Sequence, residues 1–277
     1  MILFPNAKIN LGLQITGKRP DGYHNISTIM LPVGWCDVLE IVPTDEPKTH
    51  LTVYGNKIEC AEEDNLVIKA YNALFAFMGG LPPVNLFLQK NIPDGAGLGG
   101  GSADASFTIR GLNELFNLGL SNNILADIAK QIGADCPFFI YNKPALCSGI
   151  GDQFDFDVNI NLADKFILII KPFTSAVSTK EAYANVNIGQ SQNLAEIIQT
   201  DISHWKNILS NDFEKTIFKK LPILNQIKQS LYSLGALYAS MSGSGSALYA
   251  IYDDDKLARK AYDNFSDCDR TITKIMG

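Results

Sequence analysis

Residues 93–106 read Pro-Asp-Gly-Ala-Gly-Leu-Gly-Gly-Gly-Ser-Ala-Asp-Ala-Ser, and five of the chain's 22 glycines lie between Gly95 and Gly101. A tight turn needs one or two glycines. This density instead exposes a run of backbone N–H groups with no side chain in front of them. A helix is predicted directly after the loop, to about residue 117, because Ala105, Ile109, Leu112 and Phe116 recur at helical spacing. Clustered N–H groups and the positive end of a helix dipole make an anion site, and phosphate is its natural guest. Two common phosphate loops do not fit. The Walker pattern ends in Gly-Lys-Ser/Thr, and here Gly101 precedes Ser102 with no lysine. Gly95, Gly97 and Gly100 match the dinucleotide fingerprint letter for letter. However, residues 91–94 separate it from the preceding strand, and no acid-ended strand follows about 20 residues later.

Outward from the loop, alternation of Ile9, Leu11, Leu13 and Ile15 predicts a strand over 8–16, followed by a loop at 18–22. Short strands are predicted at 37–42, 50–54 and 84–89. A helix is predicted from about residue 65 to the Gly79-Gly80 pair. A second helix spans 122–132, with Ser121 as its cap and Gly133 as its end. Beyond a polar stretch at 156–165, a buried-type strand is predicted at 166–171. Helices follow near 180–185, 193–199, 211–218, 222–234 and 255–264, and two strands flank 242–245. The mixture predicts an α+β protein of two domains, 1–155 and 156–277, joined through the polar stretch.

The composition is that of an ordinary soluble globular chain of 277 residues, with 46% apolar residues, 19% charged residues and a net charge of −6. No apolar run approaches the roughly 18–20 residues that span a membrane, and the N-terminus lacks the basic lead of a secretory signal. A cytoplasmic protein without a membrane partner is expected. The mild acidity, with no basic patch, argues against nucleic acid. Five cysteines, odd in number and without a Cys-x-x-Cys pair, predict reduced thiols rather than a disulfide framework or zinc site. Cys136 reads as a small buried apolar residue. Three histidines form no metal cluster.

The pattern Pro93-x-x-x-Gly97-Leu98-Gly99-Gly100-Gly101-Ser102 resembles the phosphate loop of the GHMP kinases, which include galactokinase, homoserine kinase and mevalonate kinase. Other segments extend the resemblance over nearly the whole chain, most weakly at 185–235. They are Pro5-Asn6-Ala7-Lys8-Ile9-Asn10-Leu11 with Gly17-Lys18-Arg19-Pro20-Asp21-Gly22-Tyr23-His24, then Gly133-Ala134-Asp135-Cys136-Pro137-Phe138-Phe139, and Met241-Ser242-Gly243-Ser244-Gly245. The first is similar to the branch that phosphorylates the 2-hydroxyl of a cytidine diphosphate-linked methylerythritol, on the non-mevalonate route to isoprenoids. The resemblance implies a two-domain fold with the active site in the cleft between domains, and ATP with Mg2+ as donor. It also implies small-molecule substrates only, and a monomer or weak homodimer.

The family's roles map onto Asp135, which would accept the hydroxyl proton, and Lys8, which would keep it ionised and offset charge on the phosphoryl group. Taken alone, Lys8 reads as an exposed strand lysine and Asp135 as a helix cap. The nucleotide positions map onto Asn65, Leu66, Lys90, Pro93, Asp94, Gly95, Ala96, Gly97, Leu98, Gly99, Gly100, Gly101, Ser102 and Ala103. Those for the cytidyl substrate map onto Asn10, Tyr23, His24, Thr179 and Tyr183, where rings suit a pyrimidine. No acidic cluster marks a metal site. Three residues depart from the family pattern: Ala96 where glycine is common, Asp104 where asparagine is common, and Met30 in place of an aromatic. Another small-molecule kinase of the family, or an inert nucleotide-binding protein on the same fold, are the alternatives.

Overall fold

The computed structural model describes residues 1–173, 179–184, 186, 188 and 192–276, without the side chains of 179 and 180. In chain order the first elements are β1 (Ile2–Leu3), β2 (Asn6–Lys18), β3 (His24–Cys36), β4 (Val38–Pro43), β5 (His50–Gly55), α1 (Leu66–Met78) and β6 (Val84–Lys90). Then come α2 (Gly100–Leu115), α3 (Asn122–Lys130), α4 (Cys136–Tyr141), β7 (Ala145–Ser148), β8 (Gln153–Asp155) and β9 (Phe166–Pro172). The chain continues with α5 (Thr179–Ala184), α6 (Leu194–Ile197), α7 (Ile202–Ile208), α8 (Glu214–Lys220) and α9 (Pro222–Ser233). It ends with β10 (Tyr238–Met241), β11 (Leu248–Tyr252), α10 (Asp255–Asp263) and β12 (Cys268–Thr273).

Two compact units share these elements. The first comprises Met1–Ala7, Trp35–Asp94 and Gly99–Lys143, and the second Lys8–Gly34, Gly95–Leu98 and Pro144–Gly277. Packing thus interleaves the chain where the sequence suggests successive halves. The polar stretch 156–165 joins β8 to β9 inside the second unit.

In the first unit one sheet runs β1-β4-β6-β5, with β4 antiparallel and β5 parallel to β6. Leu39 and Ile41 lie opposite Leu88 and Leu86, and all four are fully buried. Helical-period residues meet this strand-period face: Val67 and Leu74 from α1, Ile109 and Leu112 from α2, Ile128 from α3. Each such side chain contributes about 1.5–3 kcal/mol relative to exposure. The Asn65 side chain caps α1 by accepting from the Val67 N–H at 2.9 Å, and Gly79 ends the helix at φ +71°. Ser121 precedes α3 but makes no side-chain cap bond. That helix stops at Lys130 with Gln131 as its C-cap, short of Gly133.

The second unit holds two sheets, β2-β3-β7-β8 and the antiparallel β10-β11-β9-β12. Leu168 and Ile170 pair with Ala250 and Leu248, and their buried face is covered by Phe213, Ile217, Leu224, Leu231 and Ala258. Strand β3 has no counterpart in the sequence reading. Its run Ile29-Met30-Leu31-Pro32-Val33 does not alternate, because Ile29 to Val33 are all buried. Among the described residues no helix is long and apolar enough to cross a membrane.

Candidate active site

In the second unit Lys8 lies on β2 with 3% of its surface exposed, so it is not a solvated strand lysine. Its Nζ donates to Asn10 Oδ1 at 2.6 Å and to the Gly97 carbonyl at 3.0 Å, while its backbone N–H donates to the Leu98 carbonyl at 2.9 Å. Alternation puts Lys8 and Asn10 on one face of the strand, two residues apart. Asn10 in turn donates to Thr28 Oγ1 at 3.1 Å, so both ends of its amide are held.

The stretch Gly95–Leu98 packs on the turn after β10. Ser242 Oγ donates to the Gly97 carbonyl at 2.8 Å, and the Ala247 N–H donates to the Ala96 carbonyl at 3.0 Å. Gly97 has φ +75°, and a Cβ there would overlap the Ser242 carbonyl oxygen. Glycine is therefore required at Gly97 by conformation and by space. Ala96 is not among the residues with positive φ, so its methyl is tolerated. Asn211, 2% exposed, donates through Nδ2 to the Met241 and Gly243 carbonyls, both at 2.8 Å, and fixes the facing turn.

In the first unit α2 starts at Gly100 behind Gly99, at φ +72°, with no side-chain cap. Its first-turn N–H groups have no intrahelical acceptors, so the helix leaves donors for an anion. Leu66 lies beside this start, 3.4 Å from where a Gly101 Cβ would stand. Beneath it is a buried ion cluster. Lys90 Nζ donates to Asp104 Oδ2 at 2.7 Å and also bonds Asp37 Oδ2. Asp37 Oδ1 accepts the N–H groups of Asn91 and Ile92, at 2.6 and 2.8 Å. Lys90 is thus held beneath the start of α2 and not at the surface. Burial is the main force pushing the Asp104 carboxyl above the ordinary carboxylate range. Lys90 opposes it and Asp37 adds to it.

A groove of about 370 Å³ opens by Asn65, walled by Leu51, Val53, Tyr54 and Ile58. Asp135 is half-buried at the N-cap position of α4 but makes no side-chain cap bond there. Next to it Cys136 is fully buried, and burial pushes its thiol up to about 11, so it is an inert packing residue. Pro93 is buried and Asp94 exposed, Ser102 is half-buried and Ala103 fully buried.

Of the cytidyl-substrate positions, the second unit brings two together. His24 stacks on Tyr183, with ring centroids 5.2 Å apart and planes at 23°, and Tyr183 stands edge-on to Phe213. Tyr23 is 60% exposed in the loop closed by the Arg19–Asp21 pair. Thr179 opens α5, and its side chain lies outside the described residues. Met30 is a buried core residue on β3. Among the described residues no three His, Cys, Asp or Glu side chains gather as metal ligands.

Sequence models of the GHMP kinase N-terminal domain and of the GHMP kinase C-terminal region match residues 65–143 and 193–269. The chain belongs to the GHMP kinase family. Among its relatives is the 4-diphosphocytidyl-2-C-methyl-D-erythritol kinase of Parabacteroides distasonis, 47% identical over 97% of both chains. The enzyme of that name from Porphyromonas gingivalis is 44% identical over 98% of both. A crystal structure of 4-(cytidine 5'-diphospho)-2C-methyl-D-erythritol kinase superposes with a TM-score of 0.86 at 27% identity, covering all of each chain. The mevalonate kinase of Methanococcus jannaschii, at 15% identity and a TM-score of 0.72, shares the fold.

Within this GHMP kinase, Asp37 and Asn211 were read from the sequence only as the ends of a strand and a helix. Asp37 binds Lys90 across 53 residues of chain, and Asn211 reaches Met241 across 30. Neither stands in a motif, so no local pattern marks it.

Proposed function

We propose that this GHMP kinase transfers the γ-phosphoryl group of ATP to the 2-hydroxyl of 4-diphosphocytidyl-2-C-methyl-D-erythritol, a step in isoprenoid precursor synthesis. The observation that carries this reading is the near-half identity, over almost the full length of both chains, with kinases of that one name. The local geometry supports it. The groove, with Leu51, Val53 and Ile58 beside polar Asn56, Lys57 and Glu62, suits an adenine ring, and Asn65, whose Oδ1 is taken by its own helix, keeps an amide nitrogen as donor for the base. The uncapped start of α2 suits a phosphate group of the nucleotide. The stacked His24 and Tyr183 rings suit a pyrimidine or its ribose.

In this reading Asp135 accepts the substrate proton. A carboxylate is a weak base for an alcohol, which suffices where phosphoryl transfer is loose and the proton moves late. Lys8 offsets charge on the transferring group, held for that purpose by Asn10 and the Gly97 carbonyl. Mg2+ would arrive on ATP. Bound there, it would neutralise phosphate charge. The test is product identification. Phosphorus NMR of ATP, the cytidyl substrate and the purified protein should show one new phosphomonoester resonance without three-bond proton splitting, because the methyl-bearing 2-carbon carries no hydrogen. No new resonance, or one on another hydroxyl, overturns the assignment.

A further inference from the structure

The Asp37–Lys90–Asp104 cluster has no part in the mechanism above, yet it sits under the start of α2. Lys90 Nζ lies 3.4 Å from where a Cβ on Gly100 would stand. All three side chains are buried, at 0, 3 and 2% exposure. Two carboxylates face one ammonium, so with both ionised the dry cluster would carry a net negative charge. That charge would lie beneath N–H groups that suit a polyanion, and an unbalanced charge in such a site is costly.

The hydrogen bonds say which carboxyl yields. Asp37 accepts three donors, two backbone N–H groups and Lys90, as an ionised carboxylate does. Asp104 accepts only Lys90 through Oδ2, and its buried Oδ1 has no hydrogen-bond partner. We propose that Asp37, Lys90 and Asp104 are positioning residues for the nucleotide, with Asp104 the site of the proton that balances the cluster, so that wherever this proton is partly lost the binding of the triphosphate restores it. Asp37 holds the backbone of Asn91 and Ile92 just ahead of the loop, and Lys90 ties that anchor to α2.

The direction of the Asp104 shift agrees. Burial raises it, Lys90 lowers it and Asp37 raises it. The other titratable groups on elements packed against α2 are Glu40 on β4, Lys69 and Tyr71 on α1, Asp127 and Lys130 on α3, and Cys136 and Tyr141 on α4. Lys69 is paired with exposed Asp64, and Tyr71 donates to the Leu81 and Pro82 carbonyls. A phosphate at the helix start repels an ionised Asp104, so the same repulsion weakens binding once Asp104 loses its proton. An asparagine at this position would be neutral at every pH.

The inference rests on the nucleotide reading of the α2 start, and calorimetry of ADP binding separates the two. Titration at about pH 8, where the ADP phosphates are fully ionised, in two buffers of different ionisation enthalpy gives the protons exchanged. Wild-type protein should take up a substantial fraction of a proton. Its affinity should fall about fivefold or more between pH 7 and 9. Asp104→Asn should exchange no proton and show no such fall between pH 7 and 9. Binding without proton uptake in wild type, or with the same uptake and pH profile in Asp104→Asn, overturns the inference and leaves the nucleotide site standing. Absence of ADP binding at any pH overturns the nucleotide reading and the inference together. The wild-type buffer comparison decides the matter even if Asp104→Asn does not fold.

Discussion

A lysine with 3% of its surface exposed must have its charge answered locally, and Lys8 is held by Asn10 Oδ1 and the Gly97 carbonyl. Asp135 makes no side-chain cap for the helix it precedes, so a capping role does not account for its carboxylate. If these two groups serve phosphoryl transfer, Asp135→Asn should leave ATP affinity within a few-fold while turnover falls by roughly 100-fold or more. Equilibrium binding and steady-state rates check this, and near-normal turnover removes Asp135 as the base. At Gly97 the constraint is steric. Gly97→Ala should cost about 2 kcal/mol or more in urea unfolding, because positive φ and overlap with Ser242 add together. Gly95→Ala, at φ +59° with nothing within 4 Å of its Cβ, should cost clearly less. A glycine cluster is legible in a sequence because its members are consecutive. Lys8 and Asp135 drew a catalytic reading only jointly, through resemblance, since each residue alone reads as a commonplace strand lysine or cap. Asp37 was not legible at all, because its meaning depends on a lysine 53 residues away.

At the scale of elements, a buried hydrogen bond from Lys90 to Asp104 joins β6 to α2. Removing the cation strands two buried carboxyls, so Lys90→Met should lower unfolding stability by about 3 kcal/mol. Chemical denaturation at neutral pH measures it, and a loss under 1 kcal/mol contradicts a cluster of this kind. Asp104 also links stability to pH. Its carboxyl is raised in the folded state, so its contribution is complete below the ordinary carboxylate range. That contribution declines as pH rises and is gone once pH passes the raised value. Melting scans should therefore show wild type losing stability toward alkaline pH more steeply than Asp104→Asn. Parallel curves would contradict this. Elements with a clean period were legible: the alternating face of β6 and the stripe of α1 both answer a single core. β3 escaped because it is buried along most of its length and contains Pro32 and Gly34, which read as breakers.

For the whole molecule, fold class followed from the mixture of periods, and the unit boundaries did not. Sheet pairing places β2 and β3 beside β7, so residues 8–34 join the later part of the chain. Such long-range pairing leaves no trace in local composition. Net charge was similarly mute about ligands: a chain at −6 can receive a polyanion when backbone N–H groups and a few buried lysines do the binding. A panel of alcohols presented with MgATP identifies the substrate. Release of ADP should depend on 4-diphosphocytidyl-2-C-methyl-D-erythritol and be near background with homoserine or mevalonate. Turnover of homoserine or mevalonate, with none of the cytidyl compound, would contradict the account.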